Sequence, residues 1–154
     1  MNATPELVRE VFARVLERQV FLFAEELAIE DIPPGGDWVE ARMAFNGPFE
    51  GSLSLAMPKD VELEIAANFL GKEAGDPDVA RFAQDSLKEI LNVVCGHMLT
   101  ALAGEDPVFD LSIPKVHALS SGDWAALAAL PDSLGFDMEG KPALLRFHLP
   151  GVTA

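Results

Sequence analysis

The chain has 154 residues, the length of a common single domain, and 49% of them are apolar, including 10 Phe, which is ample for a packed core and argues against general disorder. Its 11 basic and 25 acidic residues leave a formal net charge of −14, which repels phosphate backbones and excludes nucleic acid and anionic membrane as expected partners. Cys95 is the single cysteine and has no internal disulfide partner, and the chain carries no Cys/His metal spacing. The first residues lack a secretory pattern, and no apolar run approaches the roughly 18–20 residues needed to cross a bilayer. A soluble, cytoplasmic protein forming one domain over residues 1–154 is the expectation.

Thr4 and Pro5 suit an N-cap and a first helical position. Leu7, Val8, Val11, Phe12, Val15, Leu16 and Val20 then recur at helical spacing, predicting an amphipathic helix to about Leu27. Pro33-Pro34-Gly35-Gly36 makes a loop. Residues 38–46 and 49–57 alternate apolar and polar around Asn46-Gly47-Pro48, which predicts an antiparallel hairpin. Val39, Ala41, Met43 and Phe45 form the inward set of the first strand, and Phe49, Gly51, Leu53, Leu55 and Met57 that of the second. A short helix follows from about Lys59 to Leu70, ending at Gly71.

Asp76-Pro77-Asp78 opens a second long helix, with an N-cap, a first-position proline and an acidic first turn, running to about Ala103. Residues 109–116 read as a strand interrupted by Pro114, which implies an edge or an irregularity. The Ala-rich stretch 123–130 has no clear pattern. A final hairpin covers 134–139 and 142–149. Antiparallel strands with segregated helices give an α+β fold, an antiparallel sheet packed with two long helices.

The second long helix has an unusual outer face. At about 100° per residue, Ala80, Ala83, Leu87, Leu91, Val94, Met98 and Leu102 gather on one side, the expected core face. Asp85, Glu89, Asn92, Gly96 and Thr100 line the opposite side, with Phe82 at its N-terminal end. Asn competes with the backbone for hydrogen bonds and is a poor mid-helix residue. Gly96 costs about 1 kcal/mol against Ala and leaves the backbone open to close approach. An ordinary solvated face would favour Glu, Lys or Ala at both places.

The pattern Asp85-x3-Glu89-x2-Asn92-x21-Pro114 resembles the signature of the CheC/CheX/FliY family of chemotaxis phosphatases. Residues 49–53 (Phe-Glu-Gly-Ser-Leu), 90–96 and 111–114 (Leu-Ser-Ile-Pro) agree with it. With 14 Glu and 4 Asn in the chain, Glu-x2-Asn alone is expected about 0.4 times by chance. Adding the Asp or Ser and the Pro reduces that to about 0.003. Only Glu89 has Asn three positions later, so the chain carries one site, which resembles CheX-type members. The resemblance also implies a homodimer.

That resemblance implies hydrolysis of the phospho-aspartate of a CheY-like receiver domain, which ends a chemotaxis signal. Asn92 would orient the attacking water, since its amide can accept from water but cannot act as a base at neutral pH. Glu89 would pair with the receiver's active-site lysine and fix the register of the two proteins. Asp85, Phe82, Gly96 and Thr100 would support or contact the partner, and Pro114 would shape the segment beside the site. No metal ligand or cofactor is implied for this chain, because Mg²⁺ belongs to the receiver. The rival reading is a non-catalytic module that holds a receiver or a flagellar-switch protein.

Other chemistry-bearing residues read as structural. His97, His117 and His148 are scattered without ligand spacing, and Cys95 lies in an apolar stretch. Trp38 and Trp124 read as core or interface aromatics.

Overall fold

The computed structural model of the chain describes residues 3–33 and 35–150. Helix α1 (Pro5–Val20) leads to strand β1 (Ala24–Leu27), a 3₁₀ turn (Ile29–Asp31), and strands β2 (Trp38–Asn46) and β3 (Gly51–Pro58). Helices α2 (Lys59–Leu70) and α3 (Pro77–Ala103) follow. The chain closes with β4 (Asp110–Leu111), β5 (Lys115–Leu119), α4 (Ser121–Ala128), β6 (Ser133–Met138) and β7 (Pro142–His148). The sheet is antiparallel in the order β1-β6-β7-β3-β2-β4, and β5 pairs with β2 beyond β4.

The alternation in β2 and β3 places Ala41, Met43, Phe45, Leu53, Leu55 and Met57 on the inner face, against apolar residues of α1, α2 and α3. Phe12 of α1 meets Phe136 of β6 with ring centroids 4.6 Å apart. At one end of the sheet Phe45 stacks on Phe147, and Phe49 and Phe109 pack edge-on around it. Gly51 admits no side chain there, since a Cβ would reach within 2.6 Å of the Phe45 ring and would also strike the His148 carbonyl. That aromatic cluster ties the segment entering β4 to the sheet, beside the C-terminal half of α3.

Two expectations need correction, and one stretch without a pattern gains an assignment. The first helix stops at Val20, seven residues early. Phe21 takes the left-handed conformation (φ 59°), and its N–H caps the Leu16 carbonyl. Residues 24–27 join β6 as an edge strand instead. The Ala-rich stretch is helix α4, whose start is capped by Ser120 Oγ accepting from the Asp123 N–H at 3.0 Å. With Trp124, Leu127 and Ala128 it covers part of the outer sheet face, over Trp38, Ala56, Leu144 and Ile32. The two tryptophans meet edge-on at 5.5 Å. The sheet therefore carries three helices on one face and one on the other.

The second correction concerns α3. Ala80 is exposed and Leu102 half-buried, while Val79, Ser86, Ile90, Cys95 and Leu99 are buried with Ala83, Leu87, Leu91, Val94 and Met98. α3 packs against α1 and α2 as well as the sheet, so its buried arc is wider than one stripe.

Pro114 sits at a bulge. Phe45 pairs with Leu111, and Ser112 exchanges hydrogen bonds with Ala44 on both sides: its N–H reaches the Ala44 carbonyl at 2.9 Å and its Oγ accepts the Ala44 N–H at 2.8 Å. Arg42 pairs with Lys115, so Ile113 and Pro114 both oppose Met43. A bulge accepts proline because the extra residue needs no ladder N–H. Pro114 is buried, whereas Ile113 is 82% exposed.

Candidate functional site

α3 is set rigidly from both ends. Asp76 caps its start by accepting from the Asp78 N–H at 2.9 Å, and Gly104 (φ 81°) ends it with its N–H on the Thr100 carbonyl. The wide buried arc leaves one face free. Asp85, Glu89 and Thr100 are exposed on it, and Asn92 and Gly96 are half-buried. Phe82 is 37% exposed, with the Arg81 guanidinium 5.0 Å from its ring centre.

The rise of an α-helix separates Glu89 from Asn92 by about 4.5 Å along the axis, with both on the same side. Glu89 has no ion-pair partner among the described residues, so its charge faces solvent. A Cβ at Gly96 would meet no atom within 4 Å. No internal packing therefore requires glycine there, and what the residue provides is a low outer surface.

Two shallow hollows flank the C-terminal half of this face. Gly96 and Thr100 line one of ≈ 160 Å³ with Glu105, Pro107, Phe109 and Leu111. They line another of ≈ 320 Å³ with Arg14 of α1, His97, Ala101 and Glu105. Arg14 has no local sequence signal that points to this place and arrives through the α1–α3 packing. Glu105 follows directly on the end of α3, and Leu111, in the segment 111–114 that agrees with the family signature, is brought here by the β2–β4 pairing. The predicted strip thus lies on one open face, while Pro114 is buried at the neighbouring sheet edge.

Cys95, one turn from Asn92, is fully buried, and burial pushes its thiol up to about 12, so it is a packed and protonated group. His117 and His148 lie elsewhere, on the outer sheet face, held by Glu40 and Asp132.

The family model for chemotaxis phosphatase CheX matches residues 39–130, which span β2 to the end of α4 and include all of α3. The chain belongs to the CheX family. The CheX of the CheX–CheY–BeF3–Mg²⁺ complex from Borrelia burgdorferi has a similar fold, with a TM-score of 0.67 and 18% identity over 94% of this chain and 96% of that one. The chemotaxis protein CheX from Vibrio vulnificus aligns with a TM-score of 0.63 and 22% identity, covering 96% and 98% of the two chains. CheX from Desulfovibrio desulfuricans gives 0.65 and 17%, covering 94% and 97%. No curated protein matches the chain. The shared architecture is the α+β arrangement of antiparallel sheet and helices expected of CheX-type proteins. Among the described residues no helix is long and apolar enough to cross a membrane.

Proposed function

We propose that this CheX-family chain hydrolyses the phospho-aspartate of a CheY-type receiver, with Asn92 and Glu89 as its working residues. One observation carries the reading: the Glu89-x2-Asn92 pair of the family signature stands on an open helix face whose next turn, Gly96, is bare. Membership of the CheX family and the likeness to a CheX solved with CheY support it.

An aspartyl phosphate is an acyl phosphate, activated already, so positioning a water supplies most of what catalysis needs. The Asn92 amide oxygen accepts a hydrogen bond from that water and holds it in line with phosphorus. The water oxygen bonds to phosphorus as the P–O bond to the aspartate breaks, giving inorganic phosphate and a free carboxylate. Glu89 pairs with a receiver lysine beside the phosphoryl group. Mg²⁺ is carried by the receiver, and this chain contributes no ligand to it. Asp85, Phe82 and Thr100 extend the contact along α3. The protein acts in the cytoplasm, as a homodimer, with residues 1–154 as one functional unit.

The test is phosphate loss from Mg²⁺-bound phospho-CheY with wild type, Asn92→Ala and Glu89→Ala. Wild type should accelerate the loss and Asn92→Ala should abolish that acceleration while the circular dichroism spectrum stays unchanged. Receivers that bind yet decay at their intrinsic rate would show a docking module in place of an enzyme.

A further inference from the structure

Among the described residues six large apolar side chains stand exposed, and three of them border the free face of α3. Phe82 is on the helix itself, and Leu111 and Ile113 are on the sheet edge beside it. Ile113 is the most exposed of the six, and its backbone is held on both sides. Ser112 before it bonds Ala44 through both its N–H and its Oγ. Pro114 after it is buried, and Lys115 pairs with Arg42 in the β5–β2 ladder. The bulge thus presents Ile113 outward on a fixed backbone.

Helix geometry brings this side chain to the level of Asn92. Leu111 lines one hollow with Gly96, Leu99 and Thr100, so the segment after α3 runs back along the helix on its Leu99 side. β5, which follows Ile113, touches α3 as well. Asn92 precedes Leu99 by seven residues, which returns it to within about 20° of the same direction. It is half-buried, whereas Glu89 and Thr100 are exposed. Ile113 lies about 7 Å beyond Leu111 along the edge. Asn92 lies about 6 Å beyond Gly96 along the helix, in the same sense. The Asn92 amide and the Ile113 side chain therefore share one rim of the open face.

Sheet edges are ordinarily protected by charged side chains, yet this one carries Leu111 and Ile113. We propose that Ile113, backed by Leu111, is a specificity-determining residue that packs on an apolar side chain of the receiver beside its phospho-aspartate. The proposal rests on the phosphatase reading above, whose partner it narrows. With a formal net charge of −14 the chain repels the phosphoryl group it must approach, so affinity has to come from short-range contacts. Ile113 supplies one next to the residue that holds the water. A receiver with a charged side chain at that point would bury it without a partner and would be rejected.

The test is steady-state hydrolysis of Mg²⁺-bound phospho-CheY by wild type, Ile113→Ser and Ile113→Val, with binding of each to CheY carrying beryllofluoride and Mg²⁺. Ile113→Ser should raise KM and Kd about tenfold with kcat nearly unchanged, and Ile113→Val should recover most of the loss. The side chain is exposed, so the urea midpoint should stay where it is. Wild-type KM and Kd in Ile113→Ser overturn the proposal and leave the phosphatase reading standing. A loss confined to kcat also overturns it, because it would put Ile113 in the chemical step. Weaker binding by Ile113→Ser, with no hydrolysis by wild type, keeps the contact and removes the phosphatase reading. A wild type that neither binds nor hydrolyses overturns both.

Discussion

Gly96 follows Asn92 by one helical turn on the free face of α3, and the position where its Cβ would stand is empty. Gly96→Ala therefore removes a helix-interior glycine without a clash and should stabilise the protein by about 0.5–1 kcal/mol. Urea unfolding should show a higher midpoint at unchanged slope. The same methyl group raises the floor that a docked receiver approaches, so receiver dephosphorylation should slow. A variant that is both more stable and equally active would show that the bare turn plays no part in docking.

On the roles proposed above for them, Glu89 and Asn92 should fail in different ways. A residue that fixes register through an ion pair acts chiefly on encounter and binding, so Glu89→Gln should raise KM for phospho-receiver with a smaller change in kcat. Losing the group that orients water lowers the chemical step, so Asn92→Ala should lower kcat by about 100-fold. Steady-state kinetics on both variants separates the two roles. Equal losses in kcat alone would make Glu89 part of the chemical step.

Much of this was legible because the signals were local. Thr4 and Asp76 both cap their helices through side-chain oxygens, as their positions before proline imply. The period of two in β2 and β3 identified the inner face, and the 3.6 period of α3 put Glu89 and Asn92 on the outer one. What escaped was set by distant partners. Residues 24–27, Ala-Glu-Glu-Leu, favour helix by composition, but β6 offers them a ladder and Phe21 breaks α1 without a glycine. Ala80 fell outside the core because α1 and α2 share the burial of α3. The flanking hollows at Gly96 depend on Arg14 and Leu111, which are far from it in sequence.

Acid should weaken the tie between the loop before β6 and strand β7. Burial alone would raise the Asp132 carboxyl, but hydrogen bonds from Arg146 and His148 outweigh it and hold it below its ordinary value of 3.8. With the folded value depressed, this contribution is present above the unfolded value and is lost as pH falls through the folded one. Asp132→Asn should cost on the order of 1 kcal/mol at pH 7 and progressively less as the pH falls below the ordinary carboxylate value of 3.8. Chemical denaturation of both proteins across that range measures the convergence. A pH-independent difference would mean that the pair contributes by packing alone.

Cys95 should be silent in the folded protein despite its place beside Asn92. Reactivity belongs to the thiolate, and desolvation lifts this thiol from an ordinary value of 9.0 to about 12. At pH 8 Ellman's reagent should therefore react only as fast as the protein opens, and rapidly once urea unfolds it. The sign for stability follows. Above pH 9 the unfolded thiol loses its proton while the folded one keeps it, so the contribution of Cys95 to stability declines as pH rises toward 12. Brief peroxide treatment should also leave receiver dephosphorylation unchanged. Prompt labelling of the folded chain, with loss of activity, would instead place a redox-sensitive thiol next to the site.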